Sequence, residues 1–202
     1  MRQIPLPLDW PDQADDDAFI LDESNRDAVR HLEHWSLWPV RISLLTGPRK
    51  SGRSTLARLF ARKSGGDVFD DADLGDEEEI FHAWNRAQAE HKPLLIVANA
   101  PPPVWHIRLP DLRSRMAATP KVEIGEPSDM LIGGRIVRHF ASRGLDVGPD
   151  VVDYLLTRME RTHFGLFRLI EAMDRIAMES GRRISRALAR DALDELRPSR
   201  DR

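Results

Sequence analysis

Arg41-Ile42-Ser43-Leu44-Leu45-Thr46-Gly47-Pro48-Arg49-Lys50-Ser51-Gly52-Arg53-Ser54 is the stretch whose reading decides the fold. Its first half, with Ile42, Leu44 and Leu45, reads as a buried strand, and it ends at a glycine. After Gly52 the apolar residues recur as Leu56, Leu59 and Phe60, at helical spacing. A strand, a glycine-bounded loop and a helix in this order form a phosphate loop. The spacing is that of G-x-x-x-x-G-K-[ST], except that Arg53 stands where the lysine would be. In such a loop successive backbone N–H groups and the helix N-terminus make a nest for anions. Gly47, Gly52, Arg53, Ser54 and Thr55 are the candidate contacts for ADP or ATP, with Ser54 or Thr55 on the Mg²⁺. A lysine acts as a compact point charge and an arginine as a planar fork of different reach. Retained phosphate binding with poor hydrolysis is therefore expected. The competing reading is a strand-to-helix turn that binds nothing.

Outward from this loop, strands alternate with helices. The pattern predicts strands over 41–46, 67–70, 94–98 and 121–124, and helices over 25–38, 77–91 and 109–116, with Ser24 as cap of the first helix. This is an α/β domain with a mostly parallel sheet. A metal-assisted phosphate loop needs an acidic residue at the end of a buried strand, and Asp70 or Asp71 fits that place. Eight carboxylates crowd 67–79, so the same two residues also read as part of a solvated run. Asn99, closing the strand over 94–98, is placed to sit beside a terminal phosphate. After Pro127 the period becomes helical throughout, with helices over 130–143, 151–161, 164–179 and 184–196. The expected organisation is an extended tail over 1–17, an α/β domain over 18–126 and a small helical domain over 127–202.

Composition excludes several classes. The 202 residues are 41% hydrophobic and 31% charged, enough to bury a core and too apolar for wholesale disorder. No cysteine is present, which removes disulfide scaffolds, thiolate metal sites and thiol nucleophiles together. Apolar runs are too short to span a membrane and the N-terminus lacks a hydrophobic segment, so a cytoplasmic location is expected. The net charge of −3 divides into +3 over 131–202 and −6 before it, too mild for a dedicated nucleic-acid binder. His31 and His34 have a metal-like spacing but no third ligand. Trp35, Trp38 and Trp84 lie on apolar faces and read as core.

Three features together resemble the Hda regulators of the DnaA-related AAA+ family. Gln3-Ile4-Pro5-Leu6-Pro7-Leu8 is similar to the peptide that docks on the DNA polymerase sliding clamp. An arginine for the loop lysine, as in Gly52-Arg53-Ser54, is also seen in Hda proteins. Leu109-Pro110-Asp111-Leu112-Arg113-Ser114-Arg115 looks like the segment that carries the family's arginine finger. The resemblance implies that the helical domain is a lid and that Gln3, Ile4, Leu6 and Leu8 contact the clamp. It also implies that Arg115 reaches in trans to ATP held by DnaA, Arg113 being its nearby decoy. A homodimer, contact with DNA only through the clamp, and little ATPase activity of its own are further implications.

The chain departs from the family pattern in two places. Asp70 follows Thr55 by only fifteen residues, and Phe164 occupies the position of the second sensor arginine, for which Arg168 is a substitute one turn later. Two other classes compete with the adaptor reading. One is a free-standing phosphate-loop ATPase or phosphotransferase; the other is a clamp- or DnaA-associated factor that needs no nucleotide.

Overall fold

A computed structural model describes residues 19–197; the tail residues Gln3, Ile4, Leu6 and Leu8 lie outside them. Four parallel strands form one sheet in the order β2-β3-β1-β4. These are β1 (Ile42–Thr46), β2 (Asp67–Phe69), β3 (Leu94–Ala98) and β4 (Lys121–Glu123). Every residue of β1 and β3 is buried, as expected of central strands covered on both faces. Side chains alternate between the faces. Ile42, Leu44, Leu94, Ile96 and Ala98 pack on one side, beneath α3 (Glu77–Ala89) and α4 (Pro110–Ala118). Leu45, Leu95 and Val97 pack on the other, beneath α1 (Arg26–Glu33) and α2 (Arg53–Ser64).

Ser43 is the polar exception in β1. Its hydroxyl donates to the Pro120 carbonyl at 3.0 Å, which obliges it to accept from His31 Nε2 at 2.6 Å. The His31 ring stacks on Trp38, and Trp38 on Phe60. This packing corrects the helix expected over 25–38. The α-helix stops at Glu33, and a 3₁₀ turn over Trp35–Leu37 carries Trp38 into the core instead. The start is also corrected: the cap residue is Asn25, while Ser24 donates its N–H and hydroxyl to Asp22.

The four following helices are α5 (Asp129–Ala141), α6 (Pro149–Leu156), α7 (His163–Ser180) and α8 (Arg186–Leu196). They share a core of their own that includes Ile132, Ile136, Phe140, Leu155, Leu166, Met173 and Leu188. Ser128, Thr162 and Ser185 cap three of them through side-chain oxygens. The helix expected over 151–161 ends at Leu156, because side chains take over its last carbonyls. Thr157 bonds to Asp153 and Tyr154, and Arg161 to Leu156. Among the described residues no helix is long and apolar enough to cross a membrane.

At the junction of sheet and helices, the Asp22 carboxylate accepts from Ser24 and from Ser128, the latter at 2.5 Å. Burial would raise its pKa, but these bonds outweigh it and hold the group below its ordinary value. His163 is fully buried and donates from Nε2 to the Gly125 carbonyl at 2.9 Å. Burial pushes the pKa of both His163 and His31 below the ordinary histidine value.

The unfolded chain therefore takes up protons near pH 6.5 that the folded chain refuses. Stability is at its full value above that pH and falls as the pH drops below it. The slope is up to about 1.4 kcal/mol per pH unit for each histidine. Urea midpoints at pH 7.5 and 5.5 measure this: the lower pH is expected to give the lower midpoint, and His163→Gln to flatten the difference.

Candidate functional site

β1 runs straight into the loop, and the loop's backbone is special at two glycines. A Cβ on Gly47 would stand 2.8 Å from the Ile124 carbonyl oxygen, so only glycine passes that crossing. Gly52, which precedes α2, has φ +95° and lies against the Phe19 ring. Arg53 begins α2 and is only 8% exposed. Its Nη2 donates to Asn99 Oδ1 at 2.8 Å. Asn99 in turn donates from its backbone N–H and its Nδ2 to the two carboxylate oxygens of Asp73, at 3.1 and 2.8 Å. This chain fixes the amide: its NH₂ faces the carboxylate and its oxygen faces the arginine. Burial lowers the Arg53 pKa, while the charges of Asp73, Asp71 and Asp70 act in the opposite direction.

The sequence reading thus brought Arg53 and Asn99 to one place, and the structure joins them. Asp73 is the residue that it missed. It sits in a 3₁₀ turn (Ala72–Leu74) just beyond β2, and nothing local marks it among its acidic neighbours. Asp70 and Asp71 lie exposed at the end of β2, with Asp70 Oδ1 accepting from the Asp71 N–H. Ser54 is exposed and Thr55 half-buried on the first turn of α2. Among the described residues no group of three or more His, Asp or Glu could hold a metal by itself.

Among the described residues, two polar atoms of the loop are buried without a hydrogen-bond partner: Ser51 Oγ and Arg53 Nη1. Leaving such groups unsatisfied costs about 1–3 kcal/mol each. A hydroxyl and a guanidinium edge in a strand-to-helix loop are a donor set suited to an anion, so the residues fit a nucleotide phosphate.

The loop is also tied to the helices. Arg135 donates to the Lys50 carbonyl at 3.3 Å. The Lys50 ammonium lies 3.9 Å from the Phe167 ring centroid, and the Arg49 guanidinium 5.6 Å from that of Phe164. Rings of α7 therefore receive the loop's own cations. Arg168, the next residue on α7, is exposed.

The second candidate surface is α4. The Glu77 carboxylate accepts from the N–H groups of Arg108 and Leu109 and so fixes the entry to this helix. Those bonds, the one from Arg108 first, lower the Glu77 pKa. On α4, Arg115 is half-buried and donates from Nη1 to Asn85 Oδ1 at 2.5 Å. Its guanidinium carbon lies 4.5 Å from the Phe81 ring centroid and 4.4 Å from that of Trp84. Arg113 is exposed and lines a cleft of about 350 Å³ with Pro102, Trp105, His106 and Met116.

Comparison with known proteins agrees with this architecture. Residues 135–193 match the family described as "Hda, lid domain". Domain III of the Thermotoga maritima replication initiation protein DnaA superposes with a TM-score of 0.73 at 14% identity, covering 96% of this chain and 100% of that one. AMPPCP-bound DnaA from Aquifex aeolicus superposes with a TM-score of 0.61 at 21% identity, covering 83% of this chain and 65% of that one. At these identities the likenesses show the fold. An uncharacterized protein of Haemophilus influenzae is 25% identical over 116 residues, 55% of this chain and about half (50%) of that relative's length.

Proposed function

We propose that this chain, an Hda/DnaA-related AAA+ protein, regulates the replication initiator DnaA by promoting hydrolysis of the ATP that DnaA holds. The observation that carries the reading is the match of residues 135–193 to the Hda lid domain, on a chain whose fold is similar to that of DnaA domain III. In this reading Gln3, Ile4, Leu6 and Leu8 dock the chain on the DNA polymerase sliding clamp, so that DNA is met through the clamp. A proline-containing peptide has less conformational entropy to lose on entering a groove. Arg115 then acts in trans. A guanidinium at the γ-phosphate stabilises the charge that develops there during transfer.

The chain's own phosphate loop holds ADP or ATP in this account. Gly47, Gly52, Arg53, Ser54 and Thr55 form the cradle, Ser51 adds its hydroxyl, and Asn99 orients Arg53. Mg²⁺ would come with the nucleotide, on Ser54 and through Asp70 or Asp71, and it would polarise the terminal phosphate. Arg53 already spends one N–H edge on Asn99, which suits retention of nucleotide better than its turnover. In this reading Arg168, exposed on α7, approaches the nucleotide from the lid, and a homodimer is the assembly that the reading favours. A free-standing ATPase or phosphotransferase would instead turn nucleotide over without DnaA.

Calorimetric titration of the intact chain into the bacterial sliding clamp tests the docking step. Saturable binding is expected, and a Gln3→Ala/Leu6→Ala variant is expected to lose it. No heat of binding from the intact chain would overturn clamp docking.

A further inference from the structure

We propose that Trp84 is a positioning residue for Arg115, holding the guanidinium in a fixed direction before any partner arrives; this rests on Arg115 being the finger of the proposed function. An arginine on a helix surface is a long side chain with many rotamers, and a finger that must find a phosphate loses that freedom at the moment of reaction. Here the freedom is already gone. The guanidinium carbon lies within 4.5 Å of two ring centroids, Phe81 and Trp84, and Nη1 is bonded to Asn85. All three holders sit on one turn of α3, with Phe81 and Asn85 four residues apart, so a single helix face sets the direction. Arg113, two residues earlier on α4, is exposed and among the described residues stacks on no ring and bonds to no amide side chain.

The chemistry of the holder suits a group that must meet phosphate. Rings contact a guanidinium through its faces and leave its in-plane N–H edges for acceptors. Asn85 uses only Nη1. No carboxylate forms an ion pair with Arg115 among the described residues, so no bound partner charge has to be displaced before it meets phosphate. The indole of Trp84 is not placed there for a hydrogen bond of its own, since its Nε1 is buried without a partner among the described residues. Packing on the core and contact with the cation are what it does. The result is a charge with its orientation settled in advance, the condition under which electrostatic stabilisation costs no reorganisation.

Two readouts test this. The first uses the chain alone, labelled with ¹⁵N-arginine. The Arg115 side-chain signals, identified by their loss in Arg115→Ala, are expected to be displaced by ring currents and to return toward free-arginine positions in Trp84→Leu. The second is hydrolysis of DnaA-bound ATP with clamp present. Trp84→Leu is expected to lower the maximal rate about tenfold, equivalent to ~1.4 kcal/mol, and to leave the half-maximal concentration unchanged. Trp84→Phe keeps a ring and is expected to restore most of the rate.

Circular dichroism and urea midpoints of the same variants check that they fold, and Asn85→Ala, expected to lower the rate several-fold, is a second probe that leaves the apolar core intact. Undisplaced Arg115 signals in the parent chain would overturn the inference. So would wild-type rates from folded Trp84→Leu and Asn85→Ala while Arg115→Ala is inactive. Wild-type stimulation by Arg115→Ala would instead sink the finger assignment beneath it.

Discussion

Arg115→Ala is expected to reduce hydrolysis of DnaA-bound ATP to the rate DnaA shows with clamp alone. Arginine fingers are worth about 10³–10⁵ in rate, because the charge they neutralise develops in the transition state and no solvent molecule replaces it. The substitution also removes contacts with Phe81, Trp84 and Asn85. Their loss costs about 1–2 kcal/mol, which lowers the melting midpoint by a few degrees and leaves the chain folded. Clamp binding is expected to persist, since the tail is remote in sequence from α4. Arg113→Ala serves as the matched control: it removes a cation from the same helix without touching the rings. Single-turnover hydrolysis with both variants separates the two arginines, and equal loss from both would remove the special role of Arg115.

Phe140→Ala is expected to be the most damaging substitution for stability, at about 3–5 kcal/mol. Phe140 is fully buried near the end of α5, inside the cluster built by Ile136, Leu166, Met173 and Leu188. Deleting a benzyl group there removes its transfer free energy and leaves a cavity that helices on all sides cannot fully close. The same helix carries Arg135, and α7 carries Phe164 and Phe167, which are the contacts on the phosphate loop. Loosening this core is therefore expected to weaken retention of nucleotide as well. Urea denaturation of the two proteins measures the first effect; a loss below ~1 kcal/mol would show a core with room to collapse.

Much of the fold could be read in the chain because the informative residues are close in sequence. β3 is an unbroken apolar run and β1 is interrupted only by the buried Ser43 and Thr46, since both of their faces are covered, and the loop is marked by the spacing of Gly47 and Gly52. The misread ends have tertiary causes. α1 stops early because Trp38 is drawn between His31 and Phe60, a contact that no helical period announces. α6 stops early because Thr157 and Arg161 reach back to its carbonyls. Asp73 could not be singled out from eight carboxylates, since only the parallel pairing of β2 with β3 carries it to Asn99. Trp84 read as core, and it is partly that; its second contact, with Arg115, joins residues on two helices whose packing has no local signature.

The central claim is that this chain accelerates hydrolysis of ATP held by another protein. Its most direct test is a single-turnover measurement on DnaA loaded with labelled ATP, with the sliding clamp assembled on DNA and the chain added last. The account predicts a faster decay of bound ATP that requires chain and clamp together and is lost with the Gln3→Ala/Leu6→Ala variant. A decay identical with and without the intact chain, clamp being present, would contradict it.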